Sequence, residues 1–165
     1  MTATTHVAVS CLITVTTTQS GMNSWQQAMV VVVTSLLAHL MLDLIPHGFL
    51  ATPSTIFKKV VPTVTEVLPG MLTLTTAIML FGNPLLFLTA SAFGILPDII
   101  TTLFYKKRRM ISQIPPLLAV HKIHRKVHWF EKENDDGTVS YLFPNVPLLS
   151  LEVVCTLLLL IMLFK

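Results

Sequence analysis

The chain has 165 residues, of which 53% are hydrophobic and only 12% are charged. Soluble domains average about 25% charged residues, so this composition excludes an ordinary soluble domain and predicts an integral membrane protein. The net charge of +3 does not indicate a nucleic-acid partner, because the basic residues stand beside long apolar runs. The length fits a single membrane domain over residues 1–165.

Five apolar segments predict an all-α, polytopic bundle of about five transmembrane helices. The first is rich in Thr and Val, but a lone strand would leave its backbone unsatisfied in lipid, so we expect a packed helix. The second begins with a capping-box pattern, Ser24 with Gln27, and is about 33 Å long as a helix. The fourth is interrupted by Gly94 and Pro97. The segments are residues 3–18, 24–45, 67–81, 84–105 and 147–164.

Residues 106–146 predict a basic loop on one side of the membrane. It opens with four consecutive basic residues, 106–109, which end the fourth segment. Pro115 and Pro116 then break the chain, and an amphipathic helix is expected over residues 117–130. With five spans, every Lys and Arg except Lys165 lies on the side of this loop. The positive-inside rule makes that side cytoplasmic.

The same arrangement brings the histidines and two aspartates to one membrane face. His39 and Asp43 are four residues apart and share one face of a helix. Because an ionisable pair inside an apolar helix is costly, it predicts a functional site. The remaining candidates are Asp98 after the helix interruption, His6 at the start of the first helix, His47 after the second, and His121, His124 and His128 at i, i+3, i+7 spacing in the loop.

Imidazole and carboxylate groups together predict a divalent metal site. Neutral imidazole donates a lone pair and carboxylate offsets the charge of the ion. Zn²⁺ is the favoured ion, with Mn²⁺ or Fe²⁺ as alternatives. The predicted ligands are His6, His39, Asp43, Asp98, His124 and His128, and the alternative or supporting residues are His47 and His121.

Each candidate also has a purely structural interpretation. Asp43 could orient His39 for packing, and Asp98 could cap backbone groups freed by Pro97. The loop histidines could belong to a basic face that contacts anionic lipid headgroups. The placement of all these residues at one membrane face favours the metal site over the separate structural roles.

Four short motifs also carry a resemblance to a known family. The motifs are Thr5-His6, His39-x-x-x-Asp43 with Pro46-His47, Leu96-Pro97-Asp98, and His124-Arg125 followed by His128. In these motifs the chain resembles a family of small bacterial inner-membrane proteins described as membrane-bound metal-dependent hydrolases. The resemblance implies a metal site built from the motif residues and a location in the bacterial plasma membrane.

We therefore expect a metal-dependent hydrolase that acts at the cytoplasmic face of the membrane on a lipid or lipid-linked ester or phosphoester. A bound cation would activate water, with Asp98 or His47 as the proton acceptor. Two other classes stay open. One is a non-enzymatic metal-handling membrane protein. The other is a structural or partner-binding membrane protein whose basic loop binds anionic lipid headgroups.

The charge asymmetry predicts a labelling pattern in intact cells. On a background lacking Cys11 and Cys155, a cysteine at Asn134 should resist an impermeant thiol reagent, because its loop is expected to be cytoplasmic. A cysteine at Ser20, in the turn after the first helix, should react. Both should react after the membrane is permeabilised, and reaction at Asn134 in intact cells would contradict the predicted topology.

Overall fold

A computed structural model describes residues 3–45, 67–111, 113–128, 131–133, 139–141, 154 and 156–163. These residues are helical apart from one short antiparallel hairpin. The helices are α1 (Ala3–Thr18), α2 (Ser24–Asp43), α3 (Leu68–Phe81), α4 (Pro84–Ile111), α5 (Pro115–Val127) and α6 (156–163). The hairpin pairs β1 (Glu131–Glu133) with β2 (Val139–Tyr141), in the register Lys132 opposite Ser140.

The helical fold class is confirmed for the described residues, whereas the number of membrane spans stays a prediction. Two helical stretches, Ser24–Asp43 and Pro84–Thr101, are long and apolar enough to cross a membrane. α3 is apolar but shorter, and α1 has 16 residues. The predicted loop over residues 46–66 and most of the predicted fifth span lie outside the described residues.

Several predicted helix boundaries are wrong by a few residues. The cap of α2 is Asn23, not Ser24: its side chain accepts from the backbone N–H of Gln26, and the Gln26 side chain accepts from the Asn23 N–H. α5 begins at Pro115, because a proline is well tolerated in the first turn, where its missing N–H has no helical partner.

α4 is longer than the sequence predicts. The helix continues through Pro97 and past the basic residues 106–109 to Ile111. Proline removes one intrahelical hydrogen bond and bends a helix without always ending it. The four basic residues therefore lie in the last turns of α4, not at the start of a loop.

A helix of a soluble protein usually buries its apolar face, whereas α2 buries a largely polar face and exposes an apolar one. Its buried stripe is largely polar and consists of Val31, Ser35, His39 and Asp43, each four residues from the next. Its exposed stripe is apolar, with the same spacing, and consists of Trp25, Met29, Val33, Leu37 and Met41. Only 17% of this span is buried inside the structure. An apolar outer face of this extent favours contact with lipid.

Helix packing brings one end of each of α1 and α2 together with the middle of α4. His39 contacts Gly94, 55 residues later, and Val31 lies in the same apolar cluster as Leu86, at the same separation. α2 and α4 therefore run in the same direction. α1 packs against α2, α3 and α4, and a hydrogen bond of 2.7 Å between the hydroxyls of Thr5 and Thr156 ties it to α6.

Gly94 allows α1 to approach α4 closely. A β-carbon at Gly94 would collide with the Ser10 hydroxyl oxygen, and it would lie 3.4 Å from the carbonyl oxygen of His6. Gly70 on α3 has a looser contact, since its β-carbon would lie 3.5 Å from Thr4 Cα. The missing side chain of Gly94 therefore helps to fix the position of His6 beside α4.

Gly94→Ala should destabilise the protein less in a Ser10→Ala background than in the wild type. The added methyl group collides chiefly with Ser10 Oγ, and overpacking of this kind costs about 1–3 kcal/mol. The gain in helix propensity is common to both backgrounds and cancels in the double-mutant cycle. Thermal unfolding of the detergent-solubilised protein measures both effects. Gly70→Ala is the control, and an equal cost of Gly94→Ala in both backgrounds would contradict the packing argument.

Candidate metal centre

Asp43 is the centre of a buried cluster of ionisable side chains. It is the last residue of α2 and is fully buried. Its Oδ2 atom lies 3.1 Å from Nε2 of both His124 and His128, and 2.8 Å from Nε2 of His39. Its Oδ1 atom lies 3.2 Å from Nε2 of His6. A buried carboxylate needs such partners, because an isolated charge is strongly unfavourable away from water.

His39 is held with one ring nitrogen aimed at Asp43. Its Nδ1 atom lies 2.6 Å from the carbonyl oxygen of Gly94. A carbonyl only accepts hydrogen bonds, so Nδ1 carries the proton and donates. In the neutral ring the lone pair then resides on Nε2, which faces the carboxylate. Hydrogen bonds of this kind commonly orient metal-binding histidines.

When the His39 ring is neutral, its contact with Asp43 places two lone pairs side by side. Nε2 of His39 is buried and, although it lies 2.8 Å from Asp43 Oδ2, it has no aligned hydrogen-bond partner among the described residues. A neutral imidazole nitrogen and a carboxylate oxygen repel each other at this distance unless a positive charge lies near both. A cation that accepts both lone pairs would satisfy them.

α5 supplies two further imidazoles from one helical face. His124 is buried, and its Nε2 atom lies 3.1 Å from Nε2 of His128. The spacing of four residues places both rings on the side of α5 that faces the bundle. The hydroxyl of Thr101 on α4 lies 2.8 Å from Nδ1 of His124. Thr101 can therefore hold this nitrogen and leave Nε2 directed at Asp43.

Asp98 is the partly exposed member of the cluster. Its Oδ1 atom lies 3.2 Å from Nε2 of His124 and 3.9 Å from Nε2 of His39. Its side chain is 40% exposed, whereas that of Asp43 is 1% exposed. The cluster is therefore closed on the side of Asp43 and open to solvent on the side of Asp98.

The electrostatics of His124 indicate that the cluster attracts positive charge. Burial by itself lowers the pKa of His124. The hydrogen bonds with the carboxylates of Asp43 and Asp98 outweigh burial and raise the pKa above its ordinary value. Two carboxylates thus stabilise a positive charge at this position, whether a proton or a metal ion carries it.

Four of the side chains form a group that could hold a metal ion. One ligand atom each from His39, Asp43, Asp98 and His124 lies within 4.8 Å of all the others. For metal–ligand bonds of 2.0–2.2 Å, neighbouring ligand atoms around a tetrahedral ion are about 3.4 Å apart. The four distances between a histidine nitrogen and a carboxylate oxygen in this group, 2.8–3.9 Å, are close to that value. The donor set and its spacing therefore suit a divalent cation.

The structure brings together side chains of all six residues that the sequence predicts as ligands. They come from four helices: His6 on α1, His39 and Asp43 on α2, Asp98 on α4, and His124 with His128 at the end of α5. His121 is buried, and its Nδ1 atom lies 3.3 Å from the Thr101 hydroxyl. His47 lies outside the described residues.

Two residues that orient histidines of the cluster, Thr101 and Gly94, are not among the candidates predicted from the sequence. Thr101 follows Asp98 by three residues and therefore lies on the same face of α4, which is a signal that spacing could have given. Gly94 is predicted only to interrupt the fourth segment, yet its backbone carbonyl accepts the hydrogen bond from His39. No pattern in the sequence marks that backbone atom.

No protein-family model, curated protein or solved structure matches this chain. The function is therefore inferred from the geometry and chemistry of the cluster.

Thr101→Val should weaken metal binding by about 10–100-fold. The substitution keeps the shape of the side chain but removes the hydroxyl that holds His124 Nδ1, and loss of such an orienting hydrogen bond typically has this effect. Thr101→Ser retains the hydroxyl and should bind nearly as well as the wild type. Titration of metal-stripped protein with Zn²⁺ measures the change. Equal affinities for the valine and serine variants would argue against this role for Thr101.

Proposed function

We propose that the protein is a metal-dependent hydrolase whose site lies at the membrane boundary. The observation that carries the proposal is the contact between His39 Nε2 and Asp43 Oδ2, 2.8 Å apart in a buried cluster, which brings two lone pairs together when the His39 ring is neutral. A divalent cation held by His39, Asp43, Asp98 and His124 accounts for this contact. Zn²⁺ suits the mixed imidazole and carboxylate set, and Mn²⁺ or Fe²⁺ are the alternatives.

The exposure of Asp98 favours catalysis over a closed structural site. Structural zinc sites are usually filled by protein ligands, whereas catalytic sites keep a position for water or substrate. Solvent can reach this cluster beside Asp98, whose side chain is 40% exposed, so water or substrate could enter as a fifth ligand, a coordination number that catalytic zinc can adopt. When bound, a divalent cation polarises the bond to be cleaved and lowers the pKa of coordinated water to about 7.

A neutral His128 imidazole accepts the proton from the attacking water in this proposal, in place of Asp98, which belongs to the group of four, and of His47, which lies outside the described residues. The Nε2 atom of His128 lies 3.1 Å from both Asp43 Oδ2 and His124 Nε2, but His128 is not one of the group of four. In the proposed reaction the water oxygen bonds to the carbon or phosphorus of the ester, and the bond from that atom to the leaving oxygen breaks. The proton that His128 accepts passes to the leaving alcohol.

The position of the site favours a substrate in the headgroup region. Asp43 is the last residue of one candidate span, and Asp98 lies three residues before the end of the other. If both spans cross a bilayer, the cluster lies at the depth where lipid headgroups meet the acyl chains. We therefore propose a lipid or lipid-linked ester or phosphoester as substrate.

The wider membrane arrangement is part of the same proposal. The apolar exposed stripe of α2 supports a bilayer-embedded bundle, and the basic residues that follow the fourth span support a cytoplasmic site in a bacterial plasma membrane. Lys122 and Lys126 are exposed on α5. Anionic lipid headgroups are the partners that such lysines would attract.

Metal removal and two substitutions test this function. Asp43→Asn removes the central negative charge and His39→Ala removes a ligand atom, so both should lower metal affinity by at least about 100-fold. Turnover of ester or phosphoester lipids should fall with it. Full-length protein in detergent is assayed for bound metal and for release of the lipid products. Chelation should abolish turnover, and added Zn²⁺ should restore it.

Met41→Ala is the matched control, because Met41 lies on the exposed face of α2 two residues from Asp43. It should retain both metal and turnover. Metal binding without turnover of either lipid class in the wild type would favour a metal-handling protein. Absence of metal from the wild type would favour the structural role and contradict the proposal.

A further inference from the structure

His6 is the buried group that a single metal ion leaves unexplained. The residue is 1% exposed, and neither ring nitrogen has an aligned hydrogen-bond partner among the described residues. Burial of a polar group without such a partner is unfavourable. The close packing of α1 at Gly94 nevertheless holds this ring against the cluster, stacked on His39 at 4.1 Å between ring centroids.

The two oxygens of Asp43 face different imidazoles. Oδ2 is the atom close to His39, His124 and His128, whereas Oδ1 is the atom close to His6, at 3.2 Å from Nε2. His6 is not one of the four residues whose ligand atoms form the compact group. A carboxylate that presents one oxygen to each of two sets of nitrogen ligands is suited to bridge two ions.

We propose that the site holds two divalent cations bridged by Asp43. This inference rests on the proposed metal-dependent function. The first ion is bound by the group of four through Asp43 Oδ2. The second is bound by Asp43 Oδ1 and His6 Nε2, and buried water completes its coordination. Two-ion sites of this type have ions about 3.5–4 Å apart and stabilise both oxygens of a displacement reaction.

The two ions differ in affinity and influence the choice of substrate. The second has two protein ligands, against four for the first, so it binds more weakly. The positive charge of two divalent cations exceeds the negative charge of the carboxylates of Asp43 and Asp98. An anionic phosphoester offsets this excess better than a neutral carboxylic ester does. The two-ion site therefore favours the phosphoester among the proposed substrates.

Mn²⁺ titration of the full-length, metal-stripped protein in detergent tests the proposal. Equilibrium binding should give two Mn²⁺ per chain, one tight and one weaker. At saturation the electron paramagnetic resonance spectrum should show magnetic coupling between the two ions. His6→Ala should bind one Mn²⁺ per chain, with the spectrum of an isolated ion. Cys11→Ala is the matched control on α1, since Cys11 is buried in the apolar core, and it should keep two.

The possible failures are distinguishable. One uncoupled Mn²⁺ per chain in the wild type would overturn the two-ion site and leave the proposed hydrolase standing. No bound Mn²⁺ in the wild type, together with no bound Zn²⁺ in a parallel titration, would overturn both. Two coupled ions in His6→Ala would overturn the role of His6. Because the wild-type spectrum decides between one ion and two, the test does not depend on whether the variant folds.

Discussion

The Asp43 carboxylate is buried, so the helices around it must supply groups that stabilise its charge. A charge removed from water is tolerated only when other groups replace its hydration. Here imidazoles from α1, α2 and α5 surround it within 2.8–3.2 Å. These contacts join α1 and α2 to α5, which is distant in sequence, at one end of the bundle. The same requirement that makes the cluster costly in the absence of a cation makes it a group of side chains that could hold one.

The interior of the bundle can be polar at the cluster because many apolar residues of α2 lie on its outer face. On α2 the apolar stripe from Trp25 to Met41 faces outward, and the stripe that ends at Asp43 faces inward. In water this pattern would expose a large apolar surface, whereas in lipid the outer face is well solvated and the interior is free to be polar. A lipid environment, which would favour the apolar outer face, is therefore also compatible with a polar site inside the bundle.

Small residues decide how closely the helices approach. Gly94 brings α1 against α4 and presents a backbone carbonyl that fixes the orientation of His39. Thr101, two turns further along α4, holds His124 in a similar way. One face of α4 thus orients two imidazoles on two other helices and also contributes Asp98. Its role is to position side chains as much as to supply a ligand.

The pairs that share one helical face could be predicted from the sequence, because the helical repeat fixes which side chains lie on the same side. His39 with Asp43, and His124 with His128, follow from a spacing of four residues. The helical character and the apolar length of α2 and α4 follow from composition, although the cap at Asn23 and the continuation of α4 through Pro97 depended on local geometry. Two contacts could not be predicted: His6 faces Oδ1 of Asp43, and His124 contacts both Asp43 and Asp98. They depend on the rotation and register of packed helices. That packing is set by contacts between distant segments, such as Ser10 with Gly94.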